Sequence, residues 1–383
     1  MNQSSIPAVW MRGGSSKGLF LLAGDLPKYE RERDKVICRL FGSPDLYRTQ
    51  MNGIGGATSS TSLVAIISES EDPEFDVEYV SGSVSIDTDV IDYSGFSANL
   101  SAAVGVFAVE QGLVIPDKDG GYCVKILQSN INRQLNVYLP IKDRQPLVSG
   151  NFPISGVSGT GAPIKVELLE PGLGKLGRVL STGQTSQLLD VPGFGEVAVS
   201  LLSAGGNTVF VRAADVGLQG TEFARDIESK RETLNLLELI RCIAAVEMNI
   251  SPTIEFARSH QPSSPKVVLV AKPQAFVSAQ GQTITAQEQN ICCRMLSGGL
   301  VHHAYTGTAA IATSVAAQIP GTIVEQLAVR EEESESCIKI AHPGGIFAVD
   351  SSVNEKGGFW VAEKATFTRT ARTLMIGEAF YMD

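Results

Sequence analysis

Ser97-Ala98-Asn99-Leu100-Ser101-Ala102-Ala103-Val104-Gly105-Val106-Phe107-Ala108-Val109 is a run of small and apolar residues with no polar face. A helix apolar on every side has to be covered on every side, so this run predicts a helix in the interior of a domain. A second run of the same character, Tyr305-Thr306-Gly307-Thr308-Ala309-Ala310-Ile311-Ala312-Thr313-Ser314-Val315-Ala316-Ala317, lies in the other half of the chain. Each begins among Gly, Ser, Thr or Asn. Each therefore turns first-turn N–H groups, which have no intrahelical acceptor, toward whatever lies in front of it. Around both runs recur short stretches such as GLFLLAG, SLVAIISES, LNVYLPI, EVAVSLLS and KVVLVAK, bounded by Gly, Pro, Ser or Asp, and these read as strands. The pattern predicts an α+β chain of two similar lobes, each wrapping sheet around a buried helix. Asp25 to Phe41 and Thr221 to Met248 are amphipathic and read as outer helices.

The composition agrees with that organisation. At 383 residues the chain is long enough for two domains, and 43% hydrophobic content with 15 Phe, 8 Tyr and 2 Trp describes mostly aliphatic cores. The formal charge of −10 and the absence of any basic block exclude a nucleic-acid footprint. An acidic chain can still bind an acidic small molecule, because helix ends and backbone amides supply positive potential locally. No basic segment followed by an apolar run opens the sequence and no stretch reaches 18 apolar residues, so we expect a cytoplasmic protein without a membrane span. Six scattered cysteines form no C-x-x-C pair, and the four histidines make no ligand set, so neither a metal nor a cofactor is expected.

Glycine and hydroxyl clusters at strand ends carry the chemistry. Met11-Arg12-Gly13-Gly14-Ser15-Ser16-Lys17-Gly18 lets backbone amides approach a ligand while Ser15, Ser16 and Lys17 add donors; a tight hairpin with a solvated lysine is the plain alternative. Asn52-Gly53-Ile54-Gly55-Gly56-Ala57-Thr58-Ser59-Ser60-Thr61-Ser62 is a second such loop. Ser203-Ala204-Gly205-Gly206-Asn207-Thr208 in the second half reads equally well as a simple hairpin. Gly172 to Gly177 matches G-x-G-x-x-G but follows Pro171 and opens no helix, so a dinucleotide site is not expected there. The acidic run from Arg330 to Ser336 reads as a solvated loop.

These residues resemble the 2-methylaconitate cis-trans isomerase (PrpF) family, which has the diaminopimelate epimerase fold. The signatures are MRGGSSKG (11–18), GSPD (42–45), NGIGGATSSTS (52–62), VSIDTDVIDYSG (84–95), NLSAAVGVFAVEQGL (99–113), ADVGLQGTE (214–222), MLSGGLVHHAYTGTAAIA (295–312), IPGTIVEQLA (319–328), HPGG (342–345) and RTARTLMIGEAF (369–380), in family order over nearly the whole chain. The resemblance implies two pseudo-symmetric lobes, each a curled sheet around a central buried helix, with ligand between the two helix N-termini. We expect an N-terminal lobe over 1–182, a C-terminal lobe over 183–368, and a final strand over 369–383 returning to the first lobe. The chemistry implied is proton abstraction and return on tricarboxylates such as aconitate, and the family's habit implies a homodimer. Carboxylates suit helix-end amides and hydroxyl loops, which also stabilise enolate-like charge.

Against the family pattern S-G-N-C-G-N, this chain has Ser94-Gly95-Phe96-Ser97-Ala98-Asn99, so the resemblance implies that Ser97 replaces an acid/base cysteine. Leu63 likewise stands where the family has a lysine, and Asn52 where relatives commonly have Asp. Phe96 and Leu63 would make the mouth of the pocket more apolar. A hydroxyl is a poor base unless a neighbour activates it. Three readings follow. The first is an isomerase with Ser97 as donor or relay and Lys17, His303 or Asp92 as base, its substrate bound by Ser15, Ser16, Asn52, Ser59, Ser60, Leu63, Phe96, Asn99, Asn207, Thr306, Gly307 and Thr308. The second is a relative catalysing cyclisation, pericyclic ring closure or dehydration of a specialised metabolite by shape and hydrogen bonding. The third is a non-catalytic ligand-binding protein.

Overall fold

The structure is a computed structural model that describes residues 3–174, 177–297, 299–330 and 336–382. Most of the acidic run near 330–336 therefore lies outside the described residues, as do two positions of the Gly172 to Gly177 match. The chain divides into two compact units, one built from 1–168 with 368–383 and the other from 169–367.

In the first unit, β1 (Gln3–Gly13) and β2 (Ser16–Leu22) form a hairpin. Next come β3 (Leu63–Glu69), β4 (Val77–Val84), the short β5 (Ile91–Asp92), β6 (Gly120–Gln128) and β7 (Arg133–Lys142). The final strand, Ala371–Met382, pairs antiparallel with β1. From it the sheet runs β1, β2, β3, β4, β6, β7 and then the strand Ile164–Leu169. The successive pairings are antiparallel, antiparallel, parallel, antiparallel, parallel, antiparallel and antiparallel. Alternation then sorts the side chains. Leu19 and Leu21 of β2 join Val36, Ile37, Leu40 and Phe41 of helix α1 (Glu30–Phe41) in one core. Phe20, on the other face, meets Phe107 of α2 (Ala98–Glu110) with ring centroids 5.8 Å apart.

The second unit repeats that series of pairings in the strands Gln187–Val191, Gly195–Ala204, Gly206–Arg212, Lys266–Ala271, Ile291–Ser297, Cys337–His342, Gly345–Lys356 and Phe359–Arg369. Its outer layer is α3 (Ala224–Glu228), α4 (Arg231–Glu247) and α5 (Ile254–His260), with Leu237, Ile240 and Ala244 packed on Val209, Val211, Val267 and Leu269. Its buried helix is α6 (Gly307–Ala316), in which every residue is buried, and α7 (Ile323–Leu327) follows. Each buried helix joins the two strands of its unit's second parallel pair, so the α+β, two-lobe organisation is present as read.

Three expectations need correction. The sheets were expected to curl around their helices, yet neither is strongly curled; the strands follow one another as an open series. The helices gain cover by close approach instead. A Cβ on Gly105 of α2 would come within 2.8 Å of Val137 on β7, and one on Gly205 within 3.0 Å of Ile311 on α6. The first outer helix starts at Glu30 rather than Asp25, because Pro27 interrupts the stretch after a single 3-10 turn over Ala23–Asp25. The long second helix is two, because the Ser229 hydroxyl takes the carbonyl of Asp226 and the turn tightens through Lys230 N–H to Ile227 O. Among the described residues no helix is long and apolar enough to cross a membrane.

Candidate functional site

The head of α2 is built from three separate segments of the first unit. Ser97 is its N-cap, in extended conformation, and its hydroxyl oxygen accepts from Leu100 N–H at 3.3 Å. In front lies the two-residue turn Gly14-Ser15 between β1 and β2. A Cβ on Gly13 would collide with the Asn99 carbonyl oxygen, and one on Gly14, whose φ is +50°, with the Asn99 side chain. Two glycines are thus what lets the helix end meet the hairpin. Asn99 Nδ2 lies 3.2 Å from Ser15 Oγ and 3.1 Å from Ser16 Oγ, and Asn99 Oδ1 accepts from Arg369 Nε at 3.0 Å. Arg369 also donates to the carbonyl of Thr368 at 2.8 Å; burial lowers its pKa to about 9, which leaves the guanidinium charged at neutral pH. Arg12 Nη1 donates to the carbonyls of Gly14 and Thr370 and closes the turn from behind. A charged guanidinium, hydroxyls and open first-turn amides together form a place for an anionic oxygen.

The other positions named for this unit are less concentrated. The loop 52–62 is organised by Gln50, a fully buried residue at φ +49°. Its amide nitrogen donates to Ser43 Oγ at 3.0 Å, and its oxygen accepts from Ala57 N–H at 2.8 Å and Ser62 Oγ at 2.6 Å. Asn52 and Ser59 on that loop are exposed, while Ser60 is half-buried and receives the Lys17 backbone N–H at 2.8 Å. The Lys17 side chain is exposed and, by strand alternation, lies on the opposite face from Ser16, so it does not join the α2 head. Leu63 is buried at the start of β3, paired with Gly18. Asp92 is exposed, and one of its oxygens accepts from Ser94 N–H at 2.8 Å and Ser94 Oγ at 2.6 Å, the geometry of a turn residue. Phe96 is half-buried in the segment before the cap, where the Gln128 side chain holds the carbonyl of Gly95 at 3.0 Å.

In the second unit Thr306 caps α6, accepting from Ala309 N–H at 3.3 Å; its hydroxyl also lies 3.1 Å from Thr308 and 3.3 Å from the Met295 sulfur. Gly307 is buried in the first turn, and a Cβ on Gly206 would come within 3.0 Å of Thr308. Asn207 accepts from the Ser203 hydroxyl at 2.7 Å. His303 is exposed and stacks on His302 with ring centroids 4.8 Å apart. Burial, then His303, and also Lys266 press the His302 pKa down to about 4, and the neutral ring accepts from Ala304 N–H at Nδ1 at 3.0 Å. Lys266 sits on the sheet face toward α6, two positions from Val268, which pairs with Met295; burial lowers its pKa as well.

The structure therefore brings Ser15, Ser16, Asn99 and Ser97 together, and separately Thr306, Gly307, Thr308 and its neighbours. The sequence reading missed Arg369, Gln50, His302 and Lys266. Arg369 and His302 stand inside the signatures RTARTLMIGEAF and MLSGGLVHHAYTGTAAIA, and Lys266 is a charge opening the apolar run KVVLVA, but none of these was given a role. Among the described residues no three His, Cys, Asp or Glu side chains gather as metal ligands, and no cysteine is in a disulfide.

The family described as PrpF protein matches residues 3–382. A 2-methyl-aconitate isomerase of Shewanella oneidensis is 39% identical over 98% of this chain and 96% of its own length. A crystal structure of a methylitaconate-delta-isomerase superposes with a TM-score of 0.84 at 36% identity, covering 100% of this chain and 96% of the other. A hydroxyproline epimerase structure from Agrobacterium vitis, at 14% identity and a TM-score of 0.55 over 99% and 93% of the two chains, shares the fold.

Proposed function

This chain belongs to the PrpF family and is an isomerase, and from that premise we propose that it relocates a proton on a small molecule bearing carboxylates. The observation that supports this most is the α2 head, where Ser15, Ser16, Asn99 and Arg369 surround the open first turn of a buried helix. A carboxylate held there would face donors that strengthen as charge develops. In the reaction a C–H beside the carboxylate loses its proton, the electron pair delocalises toward the carboxylate and across the adjoining double bond, and a proton returns to the far carbon. No atom is gained or lost.

The named relatives act, by their names, on 2-methyl-aconitate and methylitaconate, and a substrate of that carboxylate class is proposed here. Ser97 is the proposed proton donor or relay, because its oxygen accepts from the helix while its own hydrogen stays available. The same proposal takes Leu63 and Ser97 to stand at the family's lysine and cysteine positions, so the proposed base is not the family's. His303, an exposed imidazole beside the head of α6, is the proposed base for a ligand at that helix head in the second unit. Lys17 and Asp92 are assigned to the surface and to a turn.

The test is incubation with cis-aconitate, trans-aconitate and their methylated analogues in deuterated water, followed by proton NMR. Deuterium incorporation or a new isomer supports the reading, and neither with any of them sinks it for this substrate class. Ser97→Cys together with Leu63→Lys should raise the exchange rate, whereas no gain would mean the pocket no longer works as the family's does.

A further inference from the structure

An arginine nitrogen can only donate, so the atom of Asn99 that faces Arg369 Nε at 3.0 Å has to be its oxygen. That orientation directs the amide nitrogen at Ser15 Oγ and Ser16 Oγ. An amide NH2 also only donates. Both serine oxygens therefore accept from Asn99, and both hydroxyl hydrogens are turned elsewhere. Ser16 is buried, and a buried hydroxyl hydrogen needs an acceptor, which an anionic ligand oxygen at the helix head supplies.

We propose that Arg369 is a positioning residue: by fixing which way the Asn99 carboxamide faces, it sets the Ser15 and Ser16 hydroxyls as a pair of hydrogen-bond donors to a substrate carboxylate. Were the carboxamide to turn over, its oxygen would face the serines and draw their hydrogens onto itself, converting two donors for the ligand into none. The device spans the chain, since Arg369 stands 270 positions beyond Asn99, just ahead of the final strand. It rests on the reading of the α2 head as a carboxylate site.

The experiment uses Asn99→Asp, Arg369→Gln and the pair Ser15→Ala with Ser16→Ala. The readouts are calorimetric binding of tricarballylate, deuterium exchange into trans-aconitate, and the melting temperature. Asn99→Asp keeps the contact with Arg369 but offers the serines only acceptors. It should fold with a melting temperature no lower than wild type while binding and exchange fall about 100-fold. Arg369→Gln should lower both in the same direction. In the double-alanine background each substitution should cost binding about tenfold less than it does with the serines present, because the hydroxyls they act through are gone and only the change of charge beside the anion remains. Binding and exchange of both variants within about threefold of wild type would overturn the proposal, and so would a loss that persists undiminished in the double-alanine background. If Asn99→Asp does not fold, the Arg369→Gln comparison across the two backgrounds decides alone. A wild type that neither binds nor exchanges defeats the carboxylate reading itself and the inference with it. An active wild type with insensitive variants defeats the inference only.

Discussion

Replacing His302 by asparagine should make the second unit less sensitive to mild acid. The imidazole is held at about 4 by burial, by the stacked His303 and by nearby Lys266. A solvated histidine in the unfolded chain titrates near 6.5. Because the folded value is the lower one, the folded state binds fewer protons, and stability is intact above pH 6.5. As pH falls below 6.5 the unfolded chain takes up a proton that the folded one refuses, and the loss is complete once pH drops through about 4. The difference of about 2.5 pH units corresponds to about 3.4 kcal/mol at completion, and to about 2 kcal/mol at pH 5. Asparagine can still accept from Ala304 N–H, so His302→Asn removes the titration and keeps the contact. Urea unfolding at pH 7.5 and pH 5.0 should show wild type losing about 2 kcal/mol more than the variant between the two. With only four histidines in the chain, the variant also assigns the His302 imidazole signal in a proton NMR titration. A His302 signal that titrates near 6.5, or two proteins that lose stability in parallel, would refute the reasoning.

Three other outcomes are expected. Gly14→Ala places a Cβ at positive φ against the Asn99 carboxamide and within 2.9 Å of Arg369 Cδ, so it should cost about 2 to 4 kcal/mol in denaturant unfolding; an unchanged midpoint would contradict the close approach. Gln50→Leu strips Ser43, Ala57 and Ser62 of their shared partner, should cost about 2 to 3 kcal/mol, and should speed limited proteolysis between residues 52 and 61 while cleavage elsewhere stays the same. Lys266→Met removes a desolvated charge and should leave the urea midpoint equal or higher at pH 7 while raising the His302 titration point, both read from the assays above.

The two buried helices were legible because covering a helix on all sides requires apolar residues on all sides, and that demand is written locally in 97–109 and 305–317. Outer-helix ends were read less well. Pro27 was a visible interruption, but the break near Ser229 depends on a hydroxyl choosing the Asp226 carbonyl, which competes on nearly equal terms with a continued helix. Ser15 and Ser16 could be named from loop composition and Asn99 from the polar entry of the buried helix and the family resemblance, whereas their grouping could not.

Local sequence determined which segments are buried helices, which are strands, and where the buried helices begin, since periodicity and turn residues act over a few positions. Tertiary structure alone decided that Arg369 meets Asn99, that Gln50 gathers the 52–62 loop, and that the helices are covered by close approach rather than by curled sheets. Arg369 and Asn99 stand 270 positions apart, and the partners of Gln50 meet it only because the loop folds back on itself. Hydrogen-bond direction and steric contact act over about 3 Å in space, and spacing along the sequence carries no record of which distant groups come that close.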